Sequence, residues 1–407
     1  MKTSNCSVRR LRISLLLLVV AIAGRFAMAE EAATEPALKQ GQAVTVGVQH
    51  GTITRIECLP YVESDYTRRF KFDRYDNTKL KELRERYHLD DVVAPGKTEF
   101  DRQVLLLDWV NHRLSKFGKP SSPARGALGV LKAADEGHTF FCAHYGDVLV
   151  SAAASLGWVD RPLALRRPDR PGRGGSTEHT STEIWSNQYG KWVLFDPTFA
   201  MYVVKEQMKD GKAIEIPLSA YEFRQEWFYH DAKDVVFILD KDRKRFRKSD
   251  MPVARGHYAG FGDLVLDAGA TDVYAFIGYV PNTNLMDGGL DYGKMFITKD
   301  ALCDGTKWHQ RINPADPAHE PYFPINQAAM TLTAEAGALH VGLKTLTPNF
   351  ETYQHRIDGG EWRSCGVAIT WSPHAGSNRL EVKSVNQFGV DGPISTAEVE
   401  MDKPASR

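Results

Sequence analysis

The chain has 407 residues, 43% of them hydrophobic and 25% charged, with 51 basic and 51 acidic side chains. Such a length predicts two or three domains, and such a composition excludes wholesale disorder. The balanced charge offers no basic footprint, so no nucleic-acid partner is expected.

Residues 1–29 read as a secretory signal peptide. Arg9, Arg10 and Arg12 precede the apolar run from Ile13 to Ala23, and Ala27-Met28-Ala29 forms a small-residue cleavage site. Gly24-Arg25 ends the apolar run early, so the only membrane attachment foreseen is through an uncleaved leader. The Arg9-Arg10 pair weakly suggests a twin-arginine route, and a general secretory route is preferred. All five basic residues of this stretch (Lys2, Arg9, Arg10, Arg12 and Arg25) leave with it, and no acidic ones do. The mature chain then has 46 basic against 51 acidic side chains. No later segment is apolar enough to span a bilayer, so a soluble protein, secreted or periplasmic, is expected.

Residues 32–40 read as a flexible mature N-terminus and 43–60 as short strands around Cys58. Residues 80–87 form a short charged helix and 100–116 a stronger one. In the latter Val104, Leu105, Trp109, Val110 and Leu114 recur at helical spacing.

The chemistry gathers next. Phe141-Cys142-Ala143-His144 opens a run in which Val148, Leu149, Ala152, Ala153 and Leu156 keep three- and four-residue spacing up to Gly157. Cys142 therefore starts a helix, where unpaired N–H groups and the helix dipole favour a negative charge. A basic Gly/Pro-rich loop, 166–178, follows and is read as a solvated rim or as a contact for an acidic substrate. Residues 178–185 alternate, with His179, Ser181 and Glu183 on one face, and residues 191–195 form a second strand ending at Asp196-Pro197-Thr198. A hairpin centred between Asn187 and Gln188 sets His179 opposite Asp196. A thiol nucleophile needs a base and a group to orient that base, and Cys142, His179 and Asp196 supply the three.

This order resembles the transglutaminase-like branch of the papain-type thiol superfamily over roughly residues 95–200. The matching positions are Cys142 at a helix start, the Gly157 break, His179 ahead of Glu183-Ile184-Trp185, Trp192, and Asp196-Pro197-Thr198. The Trp109-Val110 pair on the preceding helix is similar too. Ser181 stands where that family often has an aromatic. Phe141 stands where a polar oxyanion donor would precede the cysteine, which leaves only the backbone N–H of Cys142 assigned. The resemblance implies an α+β, papain-like core with the Cys142 helix packed on an antiparallel sheet that carries His179 and Asp196. It also implies acyl transfer from a peptide, protein or peptidoglycan-type amide, most simply to water. The alternatives are amine transfer onto glutamine and a non-catalytic binding or assembly protein that keeps the fold.

Beyond Asp196, a charged run at 241–248 suggests a boundary or a solvated turn. Residues 251–325 are rich in Gly, Tyr and Asp, with a strand-like run at 272–279 and no chemistry of their own. Residues 328–401 read as strands at 338–345, 352–357, 366–371, 378–385 and 395–401 separated by turns. They resemble an immunoglobulin- or fibronectin-like β-sandwich, which by analogy could touch a glycan or surface. The expected division is signal peptide 1–29, core domain 30–240, β-rich middle region 241–326, and a sandwich at 327–407 able to fold alone. After cleavage Cys58, Cys142, Cys303 and Cys365 remain; a free Cys142 leaves at most one disulfide among the other three. No Cys/His spacing suits a metal, and neither metal nor cofactor is expected.

Overall fold

The computed structural model describes residues 37–167, 178–240, 242–258, 262–288, 295–297, 320–335 and 337–403. The expected leader with its cleavage point after Ala29, most of the basic loop (168–177) and Cys303 lie outside these residues. Within them, helices pack on antiparallel sheets, an α+β arrangement.

The larger sheet has nine strands. From one edge it runs Phe296–Ile297, Phe276–Tyr279, Asp160–Arg166, Glu178–Ser186, Lys191–Asp196, Met201–Lys209, Val235–Leu239 and Lys244–Phe246, with Lys212–Pro217 also paired to Met201–Lys209. Every pairing is antiparallel. Side chains alternate between its faces, as the two-residue period of a strand requires. Ile184, Val193, Phe195, Tyr202 and Ile238 face the helices Thr78–Arg86, Glu99–Arg113, Gly126–Asp135 and Cys142–Ser155. Leu163, Trp185, Trp192, Leu194 and Phe237 face the other way, onto helix Ala220–Tyr229 and the segments around Tyr274 and Phe323.

Local sequence explains the elements that hold the site. Helix Glu99–Arg113 starts at a capping box, Thr98 with Asp101, which satisfies two otherwise orphan N–H groups. Helix Cys142–Ser155 ends where Gly157 turns to φ +82. The N–H of Trp158 then reaches the Ala153 carbonyl, and that of Gly157 reaches Ala154, a Schellman closure open to glycine. At its other end no side chain caps the helix. Gly146, one turn beyond Cys142, sits against the histidine strand: a Cβ there would lie 3.0 Å from Thr180 Cγ2. Glycine lets the helix come this close, and so lets Cys142 approach the end of that strand.

The rest of the chain departs from the expected division, because sequence order and spatial order differ. A six-stranded sheet runs Ala43–Val46, Gln49–Glu57, Ser395–Met401, Gly376–Asn386, Phe350–Ile357, Arg363–Cys365. A three-stranded sheet (Ala329–Glu335, Ala338–Lys344, Ala368–Trp371) shares one core with it through Val44, Ile53, Leu332, Val341, Trp371, Leu380 and Val399. Strands at 43–57, assigned from sequence to the 30–240 domain, thus complete the C-terminal sheets. Without them Ser395–Met401 would present an unpaired edge and the core would lose Val44, Val46 and Ile53. The 327–407 segment is therefore not self-contained. The middle region is not separate either. Phe276–Tyr279 pairs with Asp160–Arg166 and extends the larger sheet, while 272–275, expected as strand, forms a 3-10 turn. The described residues belong to one compact unit. Asn386 donates to the Gly157 carbonyl at 2.9 Å, so the C-terminal sheets brace the end of the Cys142 helix. Among the described residues no helix is long and apolar enough to cross a membrane.

Candidate active site

The structure brings Cys142, His179 and Asp196 together. Asp196 ends its strand in a turn, and its Oδ1 accepts the backbone N–H groups of Thr198 at 3.1 Å and Phe199 at 3.3 Å. That leaves Oδ2 directed at His179, whose Nε2 lies 2.7 Å away. Asp196 is 1% exposed and the His179 side chain 12%. The Phe199 ring meets the imidazole edge-on, 5.7 Å between centroids. With Nε2 committed to Asp196, Nδ1 is the nitrogen left for a nucleophile. Cys142, partly buried at the uncapped helix start, is a hydrogen-bond partner of this ring.

The electrostatics follow from these contacts. Burial works against a charged imidazole, but the Asp196 charge, and hydrogen bonds with Asp196 and Cys142, outweigh it and push the His179 pKa to about 10. The ring is therefore held as imidazolium at neutral pH. His144, two residues past Cys142, points from the opposite side of the helix. Its ring packs on Phe140 and Phe141 at 5.0 and 5.1 Å, and burial lowers its pKa. It is not brought into the site.

The hairpin register differs from the expected one. Thr182 pairs with Phe195 and Ser186 with Lys191, so the centre falls between Gln188 and Tyr189. Continuing that register sets Asp196 across from Ser181, with His179 as the diagonal neighbour on the same face, still within reach. The turn is fixed from outside the hairpin. Glu99 accepts from the Asn187 side chain and the Gln188 N–H, both at 2.8 Å, and Gly190 adopts φ +60.

Three supporting groups have no local signature in the sequence. Asn111, on the helix that carries Trp109, donates to the Pro197 and Thr198 carbonyls at 2.9 Å each and pins the turn after Asp196. Ser181 donates to the Phe195 carbonyl at 3.0 Å. The buried Tyr274 hydroxyl lies 3.4 Å from both Ser181 Oγ and Asp196 Oδ2. Among the described residues no group of three or more His, Cys, Asp or Glu is arranged to hold a metal ion.

No protein-family model matches this sequence, and no curated protein does. Among solved structures, the crystal structure of red sea bream transglutaminase aligns with 86% of this chain and 77% of that one, at 12% identity and a TM-score of 0.24.

Proposed function

We propose that the protein is a thiol enzyme of transglutaminase-like type that transfers the acyl group of an amide to water. The observation that carries this reading is the His179–Asp196 contact of 2.7 Å, with Cys142 a further hydrogen-bond partner of the same imidazole. In the first half-reaction the Cys142 sulfur attacks the amide carbonyl. Imidazolium His179 then gives its proton to the departing amine, leaving a thioester. In the second, His179 takes a proton from water as the water attacks the thioester, the sulfur departs as thiolate with the acid released, and the imidazolium is restored. Asp196 orients the ring and balances its charge throughout. The uncapped N–H groups at the start of the Cys142 helix are the donors available to the tetrahedral oxyanion. The substrate class is a peptide, protein or peptidoglycan-stem amide, met outside the cytoplasm if the leader at 1–29 directs export.

Alkylation mapping and turnover test this together. Iodoacetamide at neutral pH should label Cys142 ahead of Cys58 and Cys365 in the folded protein. A library of peptide and peptidoglycan-stem amides, screened with and without an added amine, should show release of amine that Cys142→Ala abolishes while its melting temperature stays within about 2 °C. Product carrying the added amine would identify transfer in place of hydrolysis. No turnover, slow labelling and a Cys142→Ala protein melting several degrees lower would sink the reading.

A further inference from the structure

We propose that Tyr274 is a positioning residue of the site, sharing its hydroxyl proton between Ser181 and Asp196 and so setting how firmly Asp196 holds His179. This deepens the thiol-enzyme reading and rests on it. Tyr274 lies in the turn at 272–275, in the middle region that carries no chemical motif. The turn leads into Phe276–Tyr279, which is zipped onto Asp160–Arg166, a direct neighbour of the histidine strand.

The geometry gives the hydroxyl one proton and two acceptors at equal distance, 3.4 Å each, long for a single O–H···O bond and suited to a shared one. Ser181 has already used its own proton on the Phe195 carbonyl, so toward Tyr274 it can only accept. Asp196 is ionised when it pairs with imidazolium, so it too can only accept. The Asp196 oxygen concerned is Oδ2, the one that takes the His179 Nε2–H. Density given to the phenol is withheld from the imidazolium. Tyr274 is 1% exposed and edge-packed on Phe223 at 5.0 Å, so its position is fixed by the core. Burial, first, and the neighbouring carboxylate keep the phenol protonated well past its usual range, so it remains a donor. The titratable neighbours acting on this set are Asp196 and Cys142 on the ring, and Asp196 and Glu183 on the phenol.

The arrangement predicts opposite responses from two conservative changes. Tyr274→Phe removes the competing donor, so Asp196 grips the imidazolium harder and the His179 titration moves upward. Ser181→Ala removes the competing acceptor, so the proton settles on Asp196 and the titration moves downward. Each displacement should be about half a pH unit or more, the share of one ordinary hydrogen bond.

The experiment is NMR titration of His179 in the full-length protein and both variants, with the pH profile of Cys142 alkylation followed in parallel. Opposite displacements support the proposal. A Tyr274 that merely fills space predicts that Tyr274→Phe, which keeps the ring and its packing on Phe223, leaves the titration and the alkylation profile unmoved, and that result overturns it. If Tyr274→Phe does not fold, Ser181→Ala decides alone: a downward displacement supports the proposal and none refutes it. Neither measurement needs an amide substrate. A protein that hydrolyses nothing but shows the opposite displacements would lose the proposed reaction and keep this role for Tyr274.

Discussion

Breaking the Arg161–Glu183 pair should cost the protein more than any change at the mouth of the site. The two residues face each other across adjacent strands, and both side chains are 0% exposed. Glu183 Oε2 accepts from Arg161 Nε at 3.0 Å and Nη2 at 2.7 Å. Its Oε1 accepts from the Ala220 N–H at 2.7 Å and the Tyr322 hydroxyl at 2.8 Å. In Arg161→Met those last two bonds survive, but the carboxylate is left buried beside an apolar chain. Removing one partner of such a pair typically costs about 3–5 kcal/mol. For a cooperative unit of this size that corresponds to a melting temperature lower by roughly 4–6 °C. Glu183→Gln should cost less. The guanidinium would keep the Pro321 carbonyl and the faces of Trp192 at 4.2 Å, Tyr322 at 5.0 Å and Tyr279 at 5.2 Å. Combining the two changes should recover part of the Arg161→Met loss, because the unpaired charge is gone. Thermal unfolding by circular dichroism, run as a double-mutant cycle, reads all three values. An Arg161→Met protein melting within about 1 °C of the parent, or a double variant less stable than the summed singles, would show that the pair does not stabilise the fold in this way.

The charged imidazole makes stability depend on pH. Since the folded His179 pKa, about 10, lies above the ordinary 6.5, this group stabilises the fold fully below pH 6.5 and the contribution is lost as pH rises through 10. Urea unfolding between pH 6 and 10 should show that decline, and His179→Gln should flatten it; equal slopes in both proteins would contradict the ion pair. Residues 326–407 expressed alone should give a poorly dispersed amide spectrum, for they lack Val44, Val46 and Ile53, each worth about 1.5–3 kcal/mol when buried. Fusing residues 37–58 through a linker should restore dispersion, and a well-dispersed spectrum without them would refute the strand-sharing argument.

Much of the site could be read from local pattern. The three- and four-residue apolar spacing up to Gly157 marks the Cys142 helix to within a residue of Cys142–Ser155, because an amphipathic helix and its glycine stop are local events. The alternation of 178–185 places His179, Ser181 and Glu183 on one face, and the Asn187–Gly190 turn joins the two strands. Helix Ala220–Tyr229 was open to the same reading, since Ser219 and Glu222 form its capping box; the mixed composition around it hid the start. Helix Gly126–Asp135 gave less to read, with Gly126 and Gly129 in its first turn.

Tertiary structure decided the rest. The hairpin register shifted by two residues, which keeps His179 and Asp196 on one face, and Glu99, some 88 residues away in sequence, grips the turn. Tyr274 reaches Asp196 across 78 residues, and Gln49–Glu57 finds its partner in Ser395–Met401 at the other end of the chain. No periodicity encodes such pairings, because a strand edge is satisfied by whichever complementary strand the packed core brings beside it. The sequence by itself therefore determined that Cys142 starts a helix and that His179, Ser181 and Glu183 share one face of a strand. The fold alone decided which buried partners hold them there, since a buried donor or acceptor takes its partner from whatever packing places within about 3 Å.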